Sequence, residues 1–97
     1  MDLGEFQQRM KDLYGAKDAA RGPDGTFMYL IEEVGELAEA CREPADHDLQ
    51  GEFADCLAWL ASLATLHGVD LAAAAEHKYP HRCPDCRTSP CACNTKP

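Results

Sequence analysis

Residues 26–40 read TFMYLIEEVGELAEA and residues 52–60 read EFADCLAWL, and the fold turns on these two stretches. In the first, Phe27, Leu30, Ile31, Val34, Leu37 and Ala38, with Cys41 just beyond, recur three and four apart, the spacing of one face of an α-helix. In the second, Phe53, Leu57 and Leu60, continued by Ala64, do the same. Strand-like alternation is absent, so the fold class read from the sequence is all-α. The same stretches carry Glu32, Glu33, Glu36, Glu52 and Asp55, which read E-E-x-x-E and then E-x-x-D. Glu33 and Glu36 are three apart, as are Glu52 and Asp55, so each pair projects from one side of its helix. Two such helices packed antiparallel aim four carboxylates at one point.

Working outward, Leu3 to Lys17 forms a first amphipathic segment with Phe6, Met10, Leu13 and Tyr14 at helical spacing. Arg21-Gly22-Pro23-Asp24-Gly25 reads as a turn cluster, after which Thr26 is the expected N-cap of the second helix. That helix is expected to stop near Pro44, which disfavours helix at the residue before it. A polar link leads to a third helix, about Leu49 to His67, stopped by Gly68. Asp70 caps a fourth, Leu71 to Lys78, whose four consecutive alanines favour helix and close packing. The expectation is a small bundle of about four helices, residues 1–80, followed by a cysteine-rich tail, residues 81–97. A chain of 97 residues has a thin core, so a staple or a partner subunit is expected to complete it.

Charge narrows the function. The net charge is -8. Met1 to His77 hold sixteen acids against five Lys/Arg, whereas Lys78 to Pro97 hold four Lys/Arg against Asp85 alone. An acidic body without clustered Lys/Arg repels nucleic-acid phosphates, so nucleic-acid binding is set aside. No apolar run reaches the roughly 20 residues of a membrane span, and the N-terminus lacks the regions of a signal peptide. A cytoplasmic protein is expected, with reduced thiols.

Between Gly22 and His77 there are twelve acids and one base, Arg42. Like charges three apart weaken a helix by a few tenths of a kcal/mol per pair, and a solvated face offsets this with interleaved Lys or Arg. Here that offset is missing. Either the acids face water, or a divalent cation supplies the charge, and carboxylates are the hard ligands that Mg²⁺ or Mn²⁺ accepts. Trp59, one turn beyond Asp55, serves either as core or as a platform for a base. Arg21, Lys17, Lys78 and Arg82 are the available phosphate partners, although Lys78 equally suits a solvated helix C-terminus.

Cys83-Pro84-Asp85-Cys86 and Cys91-Ala92-Cys93 place four thiols within eleven residues. Cys-x-x-Cys is a common half-site for tetrahedral zinc, and Cys-x-Cys closes the shell, with His81 as a substitute ligand. Such a tail orders mainly through its metal. Cys41 and Cys56 are read as small buried hydrophobes on inner helix faces.

The joint motif, together with Asp18-Ala19-Ala20-Arg21-Gly22 upstream and Gly68-Val69-Asp70-Leu71 after it, resembles the MazG-like pyrophosphohydrolases over about residues 5 to 80. The resemblance implies a helical bundle completed as a homodimer or homotetramer, in which Mg²⁺ holds a nucleoside triphosphate that water cleaves to a monophosphate and pyrophosphate. Carried over by position, Glu33, Glu36, Glu52 and Asp55 are the Mg²⁺ ligands, and Glu32 takes a second ion or positions the attacking water. Arg21, Lys78 and Trp59 are the substrate-binding candidates. A variant within the class acts on phosphoribosyl-ATP or dUTP. A reading from a different class is a non-catalytic module that binds a protein through the zinc tail.

Overall fold

The computed structural model describes residues 1–95, and among them every regular element is helical. Helix α1 spans Leu3–Arg42, a 3₁₀ turn spans Pro44–Asp46, α2 spans Leu49–Leu66 and α3 spans Leu71–Lys78. Aspartates start all three helices. Asp2 accepts from the Glu5 N–H, Asp48 from that of Gly51 and Asp70 from that of Ala73, each satisfying a donor the first turn leaves free.

The expected loop at residues 21–25 does not form. Only Gly22 leaves helical geometry, at φ 85° and ψ 168°, and Pro23 restarts the helix at once. Proline lacks an N–H and has φ preset for a first helical turn, so a single glycine suffices for the break. Thr26 is therefore inside the helix instead of capping it, and it is fully buried. Gly22 occupies a region of φ/ψ essentially closed to residues with a Cβ, at a cost of about 1–3 kcal/mol. Gly22→Ala is thus expected to lower stability by about 2 kcal/mol in chemical denaturation, although nothing lies within 4 Å of the added carbon. A neutral result would place the strain elsewhere.

The arm of α1 after Gly22 runs antiparallel to α2, with Tyr29 against Trp59 and Glu33 near Glu52. The covered positions are Thr26, Leu30, Glu33, Leu37 and Ala40 on α1 and Leu49, Glu52, Cys56, Trp59 and Leu63 on α2, all buried or half-buried. Both sets alternate steps of three and four, the seam of two packed helices. Of the expected inner faces Leu30, Leu37 and Ala64 are covered, but the seam lies one position round from the rest: Phe27, Ile31, Val34, Ala38 and Cys41 are exposed, as are Phe53, Leu57 and Leu60. Leu13 and Tyr14 on the first arm are exposed too, while Met10 is buried. Cys41 is thus not a core residue, and Cys56 is half-buried.

Gln7 ties α3 to the bundle. Its amide donates to the Thr65 hydroxyl at 3.1 Å and the Val69 carbonyl at 2.8 Å, and accepts from the Leu71 N–H at 2.9 Å. The apolar core is small: Met10, Ala40, Ala61, Ala64 and Cys83 are its buried members. The chain exposes 7120 Å², against about 5,500 Å² for a compact monomer of this mass. Its radius of gyration is 15.7 Å, against about 12.5 Å for a compact domain of this length. No single helix among the described residues is long and apolar enough to cross a membrane.

Candidate functional site

Because the seam lies one position round from the apolar stripe, it brings carboxylates inward. Glu33 and Glu36 from α1 and Glu52 from α2 each offer an oxygen, and these oxygens lie within 4.8 Å of one another. Glu33 Oε2 and Glu52 Oε2 are buried with no hydrogen-bond partner. The two ion pairs among the described residues, Arg21–Asp18 and His47–Glu43, bring no cation to these oxygens. Burial, and then the neighbouring Glu36 charge, push the Glu33 carboxyl up to about 7. Glu52 is raised for the same reasons in the same order. The Cys56 thiol beneath is raised by burial and by the Glu33 charge.

A carboxyl whose folded pKa is raised binds more protons in the native than in the unfolded chain over the interval between the two values. Metal-free stability is therefore highest below about pH 4.5 as far as Glu33 is concerned, and falls as pH rises toward about 7. A cation that pairs with the ionised form reverses this. If Mg²⁺ binds these oxygens, the gain in melting temperature on adding it is small at about pH 5.5 and large at about pH 8. A gain independent of pH would count against metal binding at these oxygens.

Asp55 is not among the three converging residues. Its side chain is exposed and lines a cavity of about 340 Å³ with Tyr14, Lys17, Asp18, Arg21, Trp59 and Ser62. The Asp55 charge still reaches the cluster, since it contributes to raising both Glu33 and Glu52. Glu32 is exposed and lines a shallow depression with Met28, Tyr29 and Ile31. Lys78 lies at the end of α3 beside His77, Arg82 and Arg87, in a separate cleft.

The cavity beside the carboxylates is built around Arg21. Its guanidinium donates to Asp18 at 2.9 Å and to the Thr26 hydroxyl at 3.3 Å. It also lies 4.8 Å from the Trp59 ring centre and 5.4 Å from that of Tyr29, two rings stacked at 5.1 Å. Gly25 makes room for it: a Cβ there would come within 2.8 Å of the Arg21 stem. Sequence reasoning does not single out Asp18, Thr26, Tyr29 and Ser62 as site residues. The signal for Asp18 is its i, i+3 spacing to Arg21, which puts an acid and a base on one side of the helix.

In the tail, the sulfurs of Cys83, Cys86, Cys91 and Cys93 also lie within 4.8 Å of one another, a group able to hold a metal ion. The Thr88 hydroxyl, and then the Ala92 N–H, lower the Cys86 thiol to about 6. Hydrogen bonding to Cys91, and then to Cys83, raises Cys93 to about 12. His81 is not part of the converging set.

The chain matches no curated protein. A family model described as the MazG nucleotide pyrophosphohydrolase domain matches residues 21–87, from the arginine beneath Trp59 through the carboxylate helices to the first cysteine pair. By that match, which covers more than half of its length, the chain belongs to the MazG nucleotide pyrophosphohydrolase family.

Proposed function

We propose that the protein hydrolyses nucleoside triphosphates to nucleoside monophosphate and pyrophosphate with Mg²⁺ or Mn²⁺, held by Glu33, Glu36 and Glu52 with Asp55 at the edge of the site. The observation that carries this reading is the pair of buried, unpartnered oxygens on Glu33 and Glu52 in a cluster without a cation. Burying unpaired charge is expensive, and two half-buried seam carboxylates, Glu33 and Glu52, with the exposed Glu36 beside them fit a hard divalent ion. When bound, the ion supplies charge neutralisation at the phosphates and a more acidic water. The protein's own residues do the rest. Lys17 and Arg21 line the adjoining cavity and offer cations to the phosphate chain, while the Trp59–Tyr29 stack offers a flat apolar surface to the base.

The thiols of the tail are soft donors and suit a different ion, Zn²⁺. In this reading residues 1–80 are the catalytic body and 81–97 the tail, although the family match crosses that boundary. The excess exposed surface and the stripe of Phe27, Ile31, Val34, Phe53, Leu57 and Leu60 support assembly of the body as a dimer or tetramer.

Pyrophosphate release over a panel of nucleoside triphosphates, dUTP and phosphoribosyl-ATP included, tests the activity and selects among substrates. Release that requires Mg²⁺ and yields the monophosphate is expected. Hydrolysis to orthophosphate and a diphosphate, or silence across the panel, would overturn the reading. Light scattering on the same sample is expected to give at least twice the 10.6 kDa of one chain; a monomer would remove the assembly.

A further inference from the structure

The residues after α3 have almost no apolar core. Cys83 is their one buried hydrophobic residue among those described, and within the same range no helix or strand follows Lys78. The loop nevertheless takes a closed, specific shape. The Arg87 N–H donates to the Cys83 carbonyl at 2.8 Å and the Cys83 N–H donates to the Thr88 carbonyl at 3.0 Å. Arg87 is held at φ 61°, a region that non-glycine residues rarely adopt without a local constraint.

The sulfurs sit where such a constraint would act. Cys83 Sγ and Cys93 Sγ are 3.8 Å apart, and Cys86 Sγ and Cys91 Sγ are 4.0 Å apart. A tetrahedron of thiolates around zinc, with Zn–S of about 2.3 Å, has edges of about 3.8 Å. Disulfides would bring each pair to about 2.05 Å. Two backbone amides already point at sulfur, Ala92 N–H at Cys86 Sγ (3.3 Å) and Cys93 N–H at Cys91 Sγ (3.4 Å), the kind of outer support that orients metal ligands.

Resting on the assignment of zinc to the tail, we infer that the ion is a closed, purely structural centre with all four positions filled by Cys83, Cys86, Cys91 and Cys93. It replaces the missing core of the tail and fixes the cleft lined by Lys78, Arg82 and Arg87. With four protein ligands there is no open position for water or substrate, so the centre takes no direct part in hydrolysis. The helical body lies outside its reach: its N-terminal caps, its seam and the Gln7 tie use no residue after Ala73.

The test uses the full chain. Elemental analysis is expected to give one zinc per chain, and replacement by Co²⁺ the intense visible bands of a tetrahedral tetrathiolate site. Stripping the zinc is expected to collapse the amide NMR signals of residues 81–95 while the signals of the helical body stay in place. Cys91→Ser or Cys93→Ser should weaken zinc binding at least about tenfold, and His81→Ala should leave it within about twofold. Absence of bound metal, or disulfides detected by mass spectrometry, would overturn the zinc assignment itself. A cobalt spectrum that changes on His81→Ala or on adding nucleotide would leave zinc in place and overturn the closed centre. Tail signals unchanged without metal would overturn the structural role. None of these readouts depends on turnover, so they stand apart from the carboxylate site.

Discussion

Glu33→Gln is expected to melt higher than the parent chain at about pH 8 without metal, and to release no measurable pyrophosphate with it. Both effects have one cause. Glu33 carries a carboxyl raised to about 7 by burial and by Glu36, so above that value the native state holds an ionised group it disfavours. A neutral amide of the same shape removes that repulsion, and its N–H can donate to the neighbouring carboxylates. After solvent screening the gain is of order 1 kcal/mol, or about 4–8 °C for a domain of this size. At about pH 4.5 the parent carboxyl is already protonated and the gain should vanish. In the proposed metal site activity moves the other way, because an amide does not supply the anionic oxygen that a hard divalent ion would need. Loss of several kcal/mol of charge stabilisation corresponds to at least about a thousandfold fall in rate. A variant that is destabilised at the alkaline end, or that keeps its activity, would remove Glu33 from the metal site.

That trade between stability and function also explains what the sequence can and cannot reveal. Helix type, the starts at Leu49 and Leu71 and the carboxylate spacing follow from local rules, and the structure carries all of them. The direction each helix faces does not follow from such rules. Of the expected stripe, Leu30 and Leu37 do lie in the seam with Thr26 and Glu33, whereas the row Phe27, Ile31, Val34, Ala38 lies one position away, about 100° round the helix. That row is the more apolar of the two, so periodicity favours it; the chain covers the seam, Glu33 included, and leaves the row exposed. A single sequence does not distinguish an apolar face meant for its own chain from one meant for a second copy. The break at Gly22 differs from the expected loop for another reason: glycine and proline together suggest a turn by composition, yet their order, glycine then proline, suits one non-helical residue followed by a helix start. That Asp55 stands just outside the group of three converging oxygens is likewise hidden, because spacing fixes a shared side of one helix and not the distance to the next.

Arg21→Met is expected to be among the most destabilising single changes in the chain, and Asp18→Asn in the same chain to rescue it. Asp18 is 5% exposed and its carboxylate is matched by the Arg21 guanidinium at 2.9 Å. Removing one partner of a buried pair leaves an uncompensated charge, which costs about 3–5 kcal/mol when the pair is fully buried. Arg21 retains some solvent contact, so about 2–3 kcal/mol is the expected loss in denaturant. An asparagine at this position carries no charge to strand, and the double variant should recover at least half of the loss, a coupling that a double-mutant cycle isolates. Arg42→Met serves as the control. It removes an exposed base from the last turn of α1 and should cost no more than about 0.5 kcal/mol. The same pair of variants separates structure from substrate binding. If Arg21 also offers its charge to the phosphate chain, Asp18→Asn restores the stability of Arg21→Met while KM for the nucleotide stays high. Recovery of both together would mean that Arg21 acts only by holding Asp18, Thr26 and the Trp59 ring in place. A cost for Arg21→Met below about 0.5 kcal/mol, the size of an ordinary surface change, or no relief from Asp18→Asn, would show that the buried pair does not organise this cavity.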